Sequence, residues 1–279
     1  MQIGIMGGTI RRNSLSETLD AVVNYGIHCM QFSLGGVGLR ELPEQIDTEL
    51  CDRVRTEFEA RNINMAGIDG TYNMIHPDEK QRAAGLRKLR AVASACDRLG
   101  TSVITLCTGT RNLESMWRPH PDNDSPEAWN DLVASMRQAL QVAEEYGVTL
   151  AFEPEVANVV DSAQKARRIL DDIGSPHLKV IMDGANIFHT GELPRMREIL
   201  DEAFELLSED IAFAHAKDLD RDGQAGHLAA GKGLLDYGRY LSLLNNLEFD
   251  VPLILHGLSE AQVPECVAFL REKMQAINP

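Results

Sequence analysis

Eight short apolar runs recur along this chain, each followed by a longer amphipathic stretch. The runs are QIGIM (2–6), IHCMQF (27–32), NMAGID (64–69), SVITLC (102–107), VTLAFE (148–153), LKVIMD (178–183), IAFAHA (211–216) and VPLILH (251–256). Most are near-continuously apolar, as expected of strands covered on both faces in a parallel sheet. The stretches between them read as helices with marked ends. Ser14 or Ser16 caps a helix that stops at Gly26, Asp47 precedes TELCDRVRTEFEARN, and the helix over 79–100 closes on Gly100. The next has Ser125 as its cap, Pro126 at its first position and Gly147 at its end, each suited to its place. Asp161–Gly174 repeats the arrangement, and three further helical stretches lie near 194–208, 236–246 and 261–275. Eight units in 279 residues allow about 35 residues each, the size of one βα repeat. No Pro-, Gly- or Ser-rich linker divides them. The pattern predicts an α/β fold with one domain over residues 1–279, a single (β/α)8 TIM barrel. An open doubly wound sheet would require no such count, and the G-x-G-x-x-G turn it would carry after its first strand is absent.

Composition narrows the partners. Lys and Arg number 27 against 42 Asp and Glu, a net charge of -15. That balance opposes a nucleic-acid surface, which needs clustered cations, and a polybasic membrane contact. No apolar run approaches the ~18 residues of a spanning helix. Arg11 and Arg12 follow the first apolar stretch instead of preceding it, unlike a secretory signal. The five cysteines, an odd number without C-x-x-C, suit a reducing compartment better than a disulfide framework. The expectation is a cytoplasmic protein with a small-molecule partner, no nucleic acid and no membrane.

The polar residues that end strands five to eight point to chemistry. They are Glu153 in AFEPE, Asp183 in VIMDGAN, His215 in AFAHAKD and His256 in LILHG. Singly, each is explained as a helix cap or a hydrogen-bonded core histidine. Four ligand-type residues at four successive strand ends are not, because a closed barrel brings those ends to one mouth. Two carboxylates and two imidazoles make a shell for one divalent metal ion, Mn, Zn, Mg or Co.

The same residues carry a resemblance. E-P-E-x-x-N at Glu153–Asn158, M-D-x-x-N at Met182–Asn186, H-x-K-D at His215–Asp218 and the G-x-G of Gly231–Gly233 before Asp236-Tyr237 resemble the sugar phosphate isomerase/epimerase superfamily, the xylose isomerase-like barrels. The resemblance runs over nearly the whole chain. It implies one divalent metal held by strand-end residues, with Glu153, Asp183 and His215 as matching ligands. The fourth position departs, since the family usually has Glu where this chain has His256. In ketose epimerases of that family two glutamates work on opposite sides of the sugar. Here His256 is either the fourth ligand or the second base. Glu153 is the first catalytic candidate. Lys217, on the same side of its strand as His215, is expected to hold a substrate oxygen, with a structural ion pair as the alternative. Glu155, Asn158 and Asn186 are expected to position substrate or to brace their loops. A homodimer is the assembly such barrels suggest.

Two connections are long, Thr108–Ser125 and Lys217–Leu235, and barrel loops of that length commonly shape a binding site. His76, with Thr71, Tyr72 and Asn73, is expected in the pocket, and Trp117 is a candidate wall for a sugar ring. Cys107 reads as a buried thiol. Gly226–Lys232 fits G-x-x-x-x-G-K, but Gly233 follows where a P-loop needs Ser or Thr. A nucleotide loop is therefore rejected, and Lys232 with Gly231 and Gly233 remains a candidate phosphate contact.

The expected function is a metal-dependent isomerase or epimerase acting on a ketose, aldose or related keto-sugar by proton transfer beside a carbonyl. The first alternative is a lyase or dehydratase on the same site. An endonuclease IV-like hydrolase is opposed by the charge, and a two-His, one-carboxylate oxygenase or a non-catalytic sugar-binding protein completes the alternatives.

Overall fold

The first and last barrel strands meet. In the computed structural model, which describes residues 1–39 and 42–277, β1 (Gln2–Met6) pairs in parallel with β9 (Pro252–Leu255), Gln2 opposite Pro252 and Ile5 opposite Leu255. Between them run β2 (Cys29–Phe32), β3 (Asn64–Asp69), β4 (Val103–Cys107), β5 (Thr149–Glu153), β6 (Leu178–Asp183) and β7 (Ile211–Asp218). Each pairs in parallel with the next, and β7 pairs with β9. The result is a closed eight-stranded parallel barrel, a (β/α)8 TIM barrel. The two-residue β8 (Leu228–Ala229) folds back antiparallel on the end of β7.

Helices α1 (Leu15–Asn24), α2 (Thr48–Glu59), α3 (Glu79–Leu99), α4 (Pro126–Tyr146), α5 (Ala163–Ile173), α6 (Met196–Leu207), α7 (Tyr237–Asn245) and α8 (Val263–Ile277) follow the barrel strands in turn. Their ends form as their residues dictate. The Ser14 hydroxyl accepts from the Glu17 amide and the Ser125 hydroxyl from the Ala128 amide, each satisfying a donor that the first turn leaves open. Gly100, Gly147 and Gly174 adopt the left-handed conformation that ends a helix without a Cβ penalty. Five strands differ from the sequence expectation, three of them (β4, β5 and β9) by a single residue at one or both ends. β2 begins at Cys29, and β7 extends to Asp218 because β8 supplies a partner there. Among the described residues no helix is long and apolar enough to cross a membrane.

Two apolar layers hold the fold. The larger lies between barrel and helices. The smaller fills the barrel interior with Cys29, Ala151, Ile181, Phe213 and Ile254. Gly4 makes room for it, since a Cβ there would lie 2.4 Å from Ile254 Cδ1. Each of those five residues stands two positions before a polar one: Gln31, Glu153, Asp183, His215 and His256. Side chains two apart on a strand share a face. The polar set therefore forms the next layer up, toward the C-terminal ends of the strands.

Candidate active site

In that polar layer β5, β6, β7 and the residue after β9 bring Glu153, Asp183, His215 and His256 together. Three potential ligand atoms, one each from Asp183, His215 and His256, lie within 4.8 Å of one another. Asp183 Oδ2, His215 Nδ1 and His256 Nδ1 are buried and lack a hydrogen-bond partner among the described residues. Asp183 Oδ2 meets Lys217 Nζ at 3.0 Å, an ion pair without hydrogen-bonding direction. Glu153 Oε2 is 3.2 Å from His215 Nδ1. The His215 and His256 rings meet edge to face, with centroids 4.8 Å apart.

Lys217 reaches the same spot because it is two residues past His215 on β7. Its Nζ also lies 3.4 Å from Glu153 Oε1, an atom that accepts from Asn186 Nδ2 as well. The charges follow from this packing. Burial opposes ionisation of Glu153, but the Lys217 cation and then His215 hold its carboxyl well below the usual range. Burial pushes Asp183 up to about 6, Lys217 opposing and the Glu153 charge adding to the rise. Lys217 is itself disfavoured by burial, yet Asp183 and Glu153 more than offset this and raise its pKa. His256 is held well below its usual value by burial, then by the Lys217 charge with His215 beside it, and so keeps the lone pair of one ring nitrogen. Glu155 is pushed up to about 7 by burial and by the Glu153 charge.

Above this cluster opens a cavity of about 260 Å³. Glu153, Glu155, His215 and His256 line one side, Gln31, Asp69 and Thr105 another, and Trp117 stands at the wall. Trp117 is 56% exposed. Gln31 and Asp69 are residues that sequence reasoning missed. Asp69 ends β3 as Glu153 ends β5, so the strand-end rule would have found it. Gln31 showed only as the single amide in an apolar run.

Of the remaining candidates only Asn186 touches the cluster; Asn158, His76 and Lys232 bond elsewhere in the protein. Asn158 is buried, and its Oδ1 accepts from the Gly109 amide at 2.7 Å, tying the β5 and β4 loops together. Asn186 orients Glu153 and accepts from the Gly226 amide at 2.7 Å, so it anchors the loop after β7. His76 Nδ1 accepts from the Asp78 amide at 3.0 Å, within its own turn. Lys232 pairs with Glu265. The Gly231 amide donates to Asp218 Oδ2 at 3.0 Å, and the Leu219 and Leu235 amides donate to Asp218 Oδ1, each at 2.9 Å. The Gly231 amide, expected to meet a phosphate with Gly233 and Lys232, is thus turned onto a buried aspartate. From α7, Tyr240 OH donates to the carbonyls of Met182 (2.8 Å) and His215 (3.0 Å), and Tyr237 OH to that of Lys217 (2.8 Å). These bonds hold the strand ends that carry the cluster.

A family model described as "Xylose isomerase-like TIM barrel" matches residues 19–273. Among solved structures, L-ribulose 3-epimerase superposes with a TM-score of 0.76 at 16% identity, covering 100% of this chain and 96% of the other. IOLI protein with a binding zinc atom gives 0.74 at 16% identity, covering 99% and 98%. The 3-keto-D-glucoside 4-epimerase YcjR from E. coli gives 0.69 at 18% identity, covering 98% and 99%. At these identities the structures establish a shared fold.

Proposed function

The chain belongs to the xylose isomerase-like TIM barrel family, and from that premise we propose that it is a divalent-metal-dependent isomerase or epimerase of a keto- or aldo-sugar. The observation that carries this reading is the convergence of one potential ligand atom each from Asp183, His215 and His256 at the cavity, in a cluster where Asp183 Oδ2, His215 Nδ1 and His256 Nδ1 are buried without a hydrogen-bond partner among the described residues. Buried lone pairs without donors are costly unless a cation meets them. The donor set fits a divalent ion, and two imidazoles favour Zn, Mn or Co over Mg. Asp183, His215 and His256 would hold it, with Glu153 Oε2 beside them. When bound, such an ion would polarise a substrate carbonyl and stabilise the charge that develops on its oxygen. Two of the solved relatives bear epimerase names and a third holds zinc, in keeping with this assignment.

Glu153 takes the proton beside the carbonyl. It is ionised, faces the cavity, and is kept in place by Asn186 and Lys217. Glu155 also lines the cavity and holds its proton to a higher pH than Glu153, so these two carboxyl groups separate into acid and base. His256 is assigned to the metal, because one of its ring nitrogens lies among the converging atoms. Lys217 balances the negative charge of Glu153 and Asp183. The small cavity limits the substrate to a compact molecule.

Metal analysis of the purified protein, followed by incubation with a panel of keto-sugars in deuterated water, tests the assignment. Bound divalent metal and deuterium in recovered or isomerised sugar are expected. An unsaturated product would move the protein to the lyases. A protein that binds no divalent metal would overturn the reading.

A further inference from the structure

We propose that Gln31, held by Asp69, is a positioning residue that fixes the tautomer of His215 and so presents its Nδ1 lone pair to the metal site. This rests on the metal reading above for its purpose, but its geometry stands without it. Gln31 lies on β2 and His215 on β7, strands that are not neighbours in the barrel. Their side chains meet across the interior, and both are 2% exposed. Gln31 Oε1 and His215 Nε2 are 2.8 Å apart.

The amide orientation is dictated from the other side. Gln31 Nε2 is 2.6 Å from Asp69 Oδ1 and 3.5 Å from Thr105 Oγ1. Thr105 Oγ1 in turn lies 3.3 Å from Asp69 Oδ1. An ionised carboxylate only accepts, so the Gln31 NH2 group must face it. The amide oxygen then faces His215, and an amide oxygen also only accepts. Nε2 of His215 therefore carries the hydrogen. A neutral imidazole has one N–H, which leaves Nδ1 as the bare nitrogen. That atom lies 3.2 Å from Glu153 Oε2 and 3.7 Å from Asp183 Oδ2, acceptors that its lone pair joins when a cation stands among them. The chain Asp69, Gln31, His215 thus converts one acceptor on β3 into the orientation of a lone pair on β7. It also accounts for an amide in a buried strand, where Leu or Met would pack as well at no desolvation cost.

Residues that orient a ligating histidine typically change metal affinity 10–100-fold when removed. The test uses long-range ¹H–¹⁵N correlation spectra of the histidines before and after zinc is added, with zinc titration calorimetry alongside. Wild type should show His215 as the Nε2–H form. Gln31→Met should lose that preference and bind zinc about 10–100-fold more weakly. Asp69→Asn keeps both Gln31 and His215 but removes the constraint on the amide's orientation, so it should shift His215 toward the Nδ1–H form. An Nδ1–H tautomer in wild type would overturn the proposal. So would an unchanged tautomer in both variants. If the variants shift the tautomer but no protein binds zinc, the hold of Gln31 on His215 is supported and the metal reading fails.

Discussion

The Lys217 ammonium stands 3.0 Å from Asp183 Oδ2, with the Lys217 side chain 8% exposed and that of Asp183 fully buried. A cation is thus built into the cluster that is proposed to receive a metal. Removing it would leave the fully buried Asp183 and the partly buried Glu153 without their lysine counter-charge. Breaking a buried pair from one side costs about 3–5 kcal/mol. Lys217→Met should lose stability of that order in chelator and regain much of it in saturating zinc or manganese. Denaturant midpoints in the two buffers measure this. An equal loss in both would show that metal and lysine do not share the same carboxylates.

Glu153→Gln removes the proposed base and keeps an oxygen for the Asn186 donor. The rate of solvent-deuterium exchange into substrate should fall about 10²–10⁴-fold, as expected for loss of a general base. The variant should retain wild-type circular dichroism. A fall of less than tenfold would assign proton removal to another group.

Glu155 gives the protein a pH-dependent cost. Its carboxyl, ordinarily near 4.5, titrates at about 7 when folded. A raised acid pKa means the folded state resists ionisation. Well below pH 4.5 the group is protonated in both states and contributes nothing. The penalty grows as pH rises and is complete above the folded value, where it is of order 3 kcal/mol. Glu155→Gln should therefore be stabilised relative to wild type at about pH 8 and lose that advantage near pH 4, in chelator. Urea unfolding across this range checks it. A difference that stays flat with pH would show that Glu155 is not perturbed.

Asp218 is predicted to be structural. Asp218→Ala strips the acceptor from the Leu219, Gly231 and Leu235 amides. The loss should be on the order of 2–4 kcal/mol, with faster limited proteolysis between residues 219 and 235. Zinc affinity should change far less than in Gln31→Met. A variant as protease-resistant as wild type would show that the loop is held by other contacts.

The barrel was legible because its signals are local. Eight apolar runs, Ser14 and Ser125 caps and glycine stops at 100, 147 and 174 depend on neighbours within a few residues. The candidate site was legible for the same reason at Glu153, Asp183, His215 and His256, which end or follow their strands. Lys217 followed from the two-residue period of β7. Asn158, His76 and Lys232 had the right chemistry, but nothing in their spacing tells whether a polar group meets a substrate or the protein. The structure turns Asn158 onto Gly109, His76 onto its own turn and Lys232 onto Glu265.

Sequence alone determined the order of elements, the polar residues at the strand ends and so the residue types available at the mouth. Tertiary structure decided which of them are partners. Gln31 and His215 are separated by 184 positions, and no local pattern relates them. They meet only because β1 pairs with β9 and closes the sheet. Closure excludes water from the barrel interior, so each polar atom there must find a donor, an acceptor or an ion across the lumen. Those pairings specify the amide orientation, the imidazole tautomer and the carboxylate charges on which the proposed chemistry depends.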